Sequence, residues 1–229
     1  MKTIFTILIA AFFMSAAAQE CSQYYMQQEG QQLIYHQFNK RDKHELTSVY
    51  KVAEFTPEAG GHSMSIDLTI IDAIEDEIII QGSFAAKCSL GTTSLEPRSL
   101  IAPGLFRQYE GMEHEIEGDN LTMPNNLSVG QILPNAQVTM KVKMSGIGLK
   151  TQVFRNNQIV DRQETISTPA GTFNCYVITY TNILKMGLAK TYYTTVWVTE
   201  GIGMVQEETR KSNNRLISRT VLQNISHLE

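Results

Sequence analysis

Alternation of polar and apolar residues with a period of two is the feature that most constrains this chain. In VTMKVKM (residues 138–144), every second residue is Val or Met and the residues between are Thr or Lys. This pattern is typical of a strand with one buried face and one solvated face. Further runs rich in Tyr, Thr, Val and Ile, such as QLIYHQF, FNCYVITYTNIL and KTYYTTVWVT, favour pleated sheet. The sequence therefore predicts an all-β protein.

Proline and glycine mark reversals between these runs. In TPAG (residues 168–171), Pro169 presets φ at the second position of a type I turn and Gly171 takes the fourth. Gly201 and Gly203 permit a tight reversal after the run YYTTVWV. We therefore predict that these four residues are structural turn positions.

Two asparagine pairs, Asn156–Asn157 and Asn213–Asn214, predict further hairpins, because asparagine tolerates the positive φ of a two-residue turn. Successive hairpins make an antiparallel meander, which we expect to curl into a barrel or half-barrel. A curled sheet encloses either side chains or a ligand. The nine Phe, nine Tyr and ten Met residues suit both, and a filled core is favoured over a pocket.

One irregular segment, at about residues 93–111, interrupts the strands. It contains Pro97, Pro103 and Gly104, which rule out a long regular element. We interpret it as an apolar crossover that plugs or covers one side of the sheet. The acidic stretch that follows, residues 110–119, is predicted to be an edge hairpin. Residues 19–229 lack a low-complexity linker or fixed-period repeat, which favours one domain; two similar halves are the alternative.

The N-terminus predicts export. Lys2 precedes the apolar run IFTILIAAFFM and the small residues SAAA, a pattern typical of a secretory signal peptide (residues 1–18) cleaved after Ala18. The run is shorter than the roughly 20 apolar residues of a membrane span, and no later segment is long enough. We expect a periplasmic or secreted protein. Lipid anchoring is not expected, because Glu20 precedes Cys21 where a small residue is required.

Charge excludes one class of partner. The chain has 19 Lys and Arg against 23 Asp and Glu, a net charge of −4, and the basic residues form no run. Nucleic-acid binders carry a clustered basic surface, so nucleic acid is not an expected partner.

Three cysteines, Cys21, Cys88 and Cys175, predict one structural disulfide in an oxidising compartment, with the pairing open; three free thiols are the alternative. They show no C-x-x-C spacing. Cys175 shares a strand face with Phe173 and Val177, and its neighbours supply no histidine to lower its pKa. We therefore interpret Cys175 as structural, and no catalytic cysteine is expected.

Other reactive motifs are missing from the sequence. It lacks G-x-S-x-G and H-E-x-x-H, so neither a serine hydrolase nor a zinc protease is indicated. Glu113, Glu115, Glu117 and Asp119 are interpreted as a solvated acidic edge. We expect no enzymatic activity, cofactor or metal. The alternative is an envelope enzyme that uses carboxylates of residues 110–119.

Four segments carry a resemblance to a known family: CSQYYMQQEGQQLIYHQFNK, LTMPNNLSVGQIL, ETISTPAGTFNCYVITY and VWVTEGIGMVQEETRKSNNRLISRTVLQNI. They resemble the DUF3108-like group of secreted Bacteroidetes proteins, some of which are called TapB. The resemblance implies an envelope protein with a curved all-β fold and no known catalytic residues. It assigns turn and packing roles to Pro169, Gly171 and Cys175, and to Trp197, Gly201 and Gly203. We expect a non-enzymatic protein that binds an apolar small molecule or lipid, or that acts as a scaffold for another envelope protein.

Overall fold

Antiparallel strands dominate the computed structural model, which describes residues 22–109, 111–144 and 147–227. The predicted signal peptide, Cys21 and Glu110 lie outside the described residues. The strands are β1 (Gln31–Asn39), β2 (His44–Glu58), β3 (Gly61–Asp72), β4 (Ile78–Ser89), β5 (Thr92–Leu95), β6 (His114–Gly118), β7 (Leu121–Pro124), β8 (Ala136–Met144), β9 (Ile147–Thr168), β10 (Gly171–Met186), β11 (Leu188–Thr199), β12 (Gly203–Arg210) and β13 (Leu216–His227). In the part of the chain described, no helix reaches the length and apolarity that a membrane crossing requires.

All thirteen strands belong to one sheet, in the order β6-β8-β9-β10-β11-β12-β13-β1-β2-β3-β4-β5-β7. Two runs of consecutive strands, β8 to β13 and β1 to β5, pair as meanders. The first and last strands join these runs at the middle of the sheet, where Gln31 lies opposite His227. The predicted antiparallel meander is confirmed.

The sheet curls until its two edges approach each other. Strands β6 and β7 are consecutive in the chain but occupy opposite edges. Only two residues separate Gly118 at the end of β6 from Leu121 at the start of β7. Three Cα–Cα steps reach at most about 11 Å, so the edges lie close together at this point. The expected half-barrel is confirmed, whereas the edge hairpin predicted at residues 110–119 is wrong, because β6 pairs with β8.

The irregular crossover starts later than predicted, because Thr92–Leu95 pairs with β4 and β7 as a strand. It consists of a 3₁₀ turn (Pro97–Leu100), the short helix α1 (Pro103–Phe106) and a second 3₁₀ turn (Arg107–Tyr109). We call residues 97–109 the plug. Its buried side chains belong to the main core of the sheet; they are Leu100, Ile101, Leu105, Phe106 and Tyr109.

The predicted alternation in β8 is confirmed. Val138, Met140 and Val142 are buried in the main core, and Lys141 and Lys143 are exposed. The plug and this face of β8 therefore meet inside the curl.

A second core covers the outer face of β9 to β12. Val177 belongs to the main core and Ile178 to the second core, because successive side chains of a strand point to opposite faces. Two segments without regular structure close the second core from outside. Tyr24 comes from the N-terminal strap (residues 22–27), and Leu127 and Leu133 come from the loop before β8.

The hairpin predicted at Asn156–Asn157 is wrong, since β9 continues from Ile147 to Thr168. Asn157 does adopt a positive φ of 55°. The pairing between β9 and β10 shifts register beside it, and the Asn157 N–H donates to Asn135 Oδ1 at 3.0 Å. The tolerance of asparagine for positive φ, which led to the prediction of a turn here, instead permits a β-bulge within the continuous strand β9. Asn214, with φ of 62°, does lie in the turn between β12 and β13.

Candidate functional site

The segment ETISTPAGTFNCYVITY (residues 164–180) forms the hairpin between β9 and β10. Thr168 pairs with Gly171, so Pro169 and Ala170 form the turn. An open cleft of about 670 Å³ lies beside this hairpin. It is lined by Tyr24, residues 163–165, residues 172–176, Thr199 and Glu200.

The N-terminal strap forms one wall of this cleft. The Tyr24 ring packs edge-on against Tyr176, with centroids 5.7 Å apart, and its hydroxyl donates to Glu200 Oε1 at 3.5 Å. Burial and the nearby Glu200 carboxylate raise the pKa of Tyr24 to about 12. Tyr24 is therefore a neutral hydrogen-bond donor, and it anchors the strap to the sheet.

The strap also meets the turn between β11 and β12. Gly201 and Gly203 have φ values of 72° and 90°. The Gly201 N–H donates to the Gln23 carbonyl, and the Gln31 side chain donates to the Gly201 carbonyl at 2.8 Å. A Cβ on Gly203 would lie 3.2 Å from the Tyr24 carbonyl. The turn is therefore the docking surface for the strap, a role that the sequence pattern did not reveal.

Glu164 is one of the two acidic residues that line the cleft, the other being Glu200. It accepts a hydrogen bond from Trp197 Nε1 at 3.2 Å and from Arg162 at 2.7 Å. These two donors lower the pKa of Glu164 below its ordinary value, in that order of importance. An ionised carboxylate with both donors in place is poorly suited to take up a proton near neutral pH.

Cys175 faces the main core below this cleft. Its thiol is buried, and burial together with the Glu164 carboxylate raises the pKa of Cys175 to about 11. Because the thiolate is the nucleophile, a protonated thiol of this kind does not support covalent catalysis. Among the described residues Cys175 is a free cysteine, and Cys88 is buried on β4.

The acidic segment borders a second open cleft, of about 620 Å³, at the sheet edge. Its walls are residues 113–115, 141–143 and 148–150. Lys141 forms a salt bridge with Glu117, and its Nζ lies 3.7 Å from a carboxylate oxygen of Glu115. The side chains of Glu117 and Glu115 are 51% and 67% exposed, respectively. The hydrogen bond from Lys141 lowers the pKa of Glu117. An acid catalyst needs a raised pKa, whereas the Glu117 carboxylate is exposed, paired with Lys141 and lowered in pKa.

His36 and His44 form a stacked pair, whereas His62 and His114 each pack against a different phenylalanine. The rings of His36 and His44 stack at 4.0 Å near the β1–β2 turn. His62 packs on Phe55, and His114 lies beside the plug ring of Phe106. Within the ranges described, no group of three or more His, Cys, Asp or Glu side chains is placed to hold a metal ion.

The architecture defines the class of this protein: an all-β chain whose single antiparallel sheet curls around an internal plug. A family model described as DUF3108-like matches residues 28–222, and the chain belongs to this family, as its resemblance predicted.

Two solved structures share the fold. One, from Bacteroides fragilis, is described as an exported protein with a YmcC-like fold; it is 21% identical, with a TM-score of 0.80. The other, from Parabacteroides distasonis, is described as a lipoprotein; it is 22% identical, also with a TM-score of 0.80. Each match covers 90% of this chain and 100% of the other. No curated protein matches the chain.

Proposed function

We propose that this chain is a non-enzymatic protein of the bacterial envelope that acts as a scaffold and recognises its partner at its surface. The plug carries this proposal, because its side chains fill the space that a ligand inside the sheet would occupy. Phe106 is 2% exposed and Leu105 is 6% exposed. An apolar small molecule or lipid held inside the curl would have to displace them.

Surface features support recognition from outside. The edge strands β6 and β7 are each paired on one side only. Large apolar side chains are exposed on the loop before β8, at Val129 and Ile132, and on β9, at Ile159. An isolated antiparallel β-bridge pairs the backbones of Ile132 and Ile159. The Ile132 side chain is 79% exposed. Sheet edges and apolar patches are surfaces through which proteins recruit partners.

Export is supported by the signal-like N-terminus and by the two structural neighbours, one described as exported and the other as a lipoprotein. We propose that the mature chain resides in the periplasm or at the cell surface.

Cys175 is free, so a disulfide within this chain could pair only Cys21 with Cys88. We propose this bond, which would tie the end of the N-terminal strap to β4. A lipid on Cys21 would exclude it, and mass measurement separates the two states.

Native mass spectrometry of the mature protein, purified from its own envelope without reductant, tests these proposals. We expect a bare chain two hydrogens lighter than the fully reduced form. A stoichiometric lipid-sized adduct that persists in high salt and is released only on unfolding would refute the filled-interior scaffold. A covalent diacylglyceryl mass retained after unfolding would instead refute the Cys21–Cys88 bond.

A further inference from the structure

Five described hairpins reverse direction at the same end of the sheet and, besides the β3–β4 turn, four of them lie next to one another. These four are the turns β8–β9, β10–β11, β12–β13 and β1–β2, which are neighbours in the strand order. The register places them side by side: Lys185 pairs with Gln152, Tyr193 with Arg210, and Asn39 with Ser218.

These hairpin ends carry a concentration of positive charge, which we call the basic rim. Its exposed members are Lys40, Arg41, Lys43, Lys143, Lys150, Lys185, Lys190, Lys211 and Arg215. Asp42, the acid within these turns, is paired with Arg219 at 2.6 Å. The whole chain has a net charge of −4, so the basic rim reflects segregation of charge and not overall composition.

Acidic residues lie on both sides of the basic rim and mark where its positive charge ends. Glu113 and Glu115 flank it near β6, and the β3–β4 turn carries residues 75–77, all acidic. At the opposite end of the sheet, the turns β9–β10, β11–β12, β2–β3 and β4–β5 contain no Lys or Arg. Positive charge is therefore concentrated at one end, in four adjacent hairpins. Near the turns of the opposite end stands Lys87, which pairs with Glu58 at 2.9 Å.

The β10–β11 hairpin projects beyond the neighbouring β12–β13 hairpin. Tyr193 is the first residue of β11 that pairs with β12, so residues 188–192 lack a partner on that side. Leu188 at the tip is 82% exposed and Met186 is 37% exposed. Lys185 and Lys190 flank them and form no salt bridge with any described residue.

We infer that the basic rim docks on the surface of an anionic lipid bilayer, with Leu188 and Met186 entering the interface. Basic residues are attracted to anionic headgroups, and apolar side chains at a tip bury themselves beneath them. A soluble acidic polymer would satisfy the lysines but would offer no apolar layer to Leu188. The bilayer therefore explains both features, and this inference names the partner of the proposed scaffold.

Vesicle co-sedimentation of the mature chain tests the inference. We expect binding to phosphatidylcholine vesicles containing phosphatidylglycerol, weakening with added salt, and little binding to phosphatidylcholine alone. K185S/K190S should weaken the affinity by about 25-fold, at about fivefold for each lysine. Leu188→Ser should weaken it by about fivefold or more.

Matched controls lie at the other end of the sheet. Leu90 is 81% exposed in the β4–β5 turn, and Lys87 lies nearby on β4. Leu90→Ser and Lys87→Ser should leave vesicle binding unchanged. The inference fails if anionic vesicles do not bind, or if the controls lose as much affinity as the rim variants. It also fails if polyglutamate competes fully while Leu188→Ser binds vesicles normally, which indicates an acidic partner. None of these outcomes alters the test of the filled interior.

Discussion

The hydroxyl groups of Tyr109 in the plug and Thr151 in β9 form a hydrogen bond, with 2.8 Å between their oxygens, and both side chains are buried. On the β3 side of the plug, the Arg107 guanidinium donates a hydrogen bond to Asp72 at the end of that strand. Two polar contacts therefore fix the plug to strands that lie far apart in the sheet order.

Removing the Tyr109 hydroxyl should leave the Thr151 hydroxyl buried without its partner. We expect Tyr109→Phe to lower the free energy of unfolding by about 1–3 kcal/mol, measured by urea denaturation. Tyr193→Phe is the control, because Tyr193 is half-exposed and should change stability by less than about 0.5 kcal/mol. Equal losses in the two variants would contradict a specific role for the buried contact.

Truncating the plug should open a cavity in the main core. Phe106→Ala is expected to cost about 3–5 kcal/mol of stability. Benzene should then raise the melting temperature of the variant but not that of the wild type, because a dry apolar cavity binds such a molecule. If Phe106→Ala does not fold, Phe106→Leu provides the smaller cavity. A benzene-dependent shift in the wild type would show that the interior already contains space.

The docking of the strap on the β11–β12 turn can be tested by two matched glycine substitutions. Gly201 and Gly203 both have positive φ, but a Cβ on Gly201 meets nothing within 4 Å. Gly201→Ala should cost about 1–2 kcal/mol from backbone strain alone. Gly203→Ala should cost more, because its Cβ crowds the Tyr24 carbonyl. Thermal or urea unfolding measures the difference, and equal costs would refute the close approach.

Cys175 should resist thiol reagents in the folded protein. With a pKa of about 11, fewer than about one molecule in a thousand carries the thiolate at pH 7.5. Ellman's reagent should therefore react slowly with the native chain and at once in guanidinium chloride. Rapid stoichiometric labelling of the native protein at Cys175 would contradict the buried thiol.

The stacked pair His36 and His44 should make stability depend on pH. Burial first, and then the His44 imidazole, lower the pKa of His36 below its ordinary value. The unfolded chain then binds the proton more readily, so stability should fall as the pH drops below about 6.5. NMR titration should show the His36 pKa rising in His44→Gln, with His227→Gln as the control. An unchanged His36 pKa in His44→Gln would contradict the coupling.

Local patterns in the sequence predicted much of the fold. The period of two identified the buried face of β8, and Pro97 and Pro103 located the plug, because both signals act over a few residues. Asn157 misled the prediction, since positive φ serves a bulge as readily as a turn. The pairing of β6 with β8 depends on contacts distant in sequence and was therefore not predictable from local signals.

The site features depend still more on topology. The lysines of the basic rim are far apart in sequence and form no basic run; examples are Lys40, Lys143, Lys185 and Lys211. Composition and local charge pattern therefore could not predict the rim. Strand order brings these lysines to one end. Likewise, Tyr24 precedes the first strand, and no periodic pattern signals that it covers the outer face of β10.

The position of the chain ends has a mechanical consequence. Ser22 bonds the Pro124 carbonyl, and His227 pairs with Gln31, so both ends of the described chain lie opposite the basic rim. Strand β10, with 16 residues at roughly 3.3 Å each, spans about 50 Å between these two ends of the sheet. A load applied at Ser22 while the rim is held would pull along the strands. Docking of the basic rim as proposed would therefore hold the N-terminal end of the described chain about 50 Å from the bilayer surface.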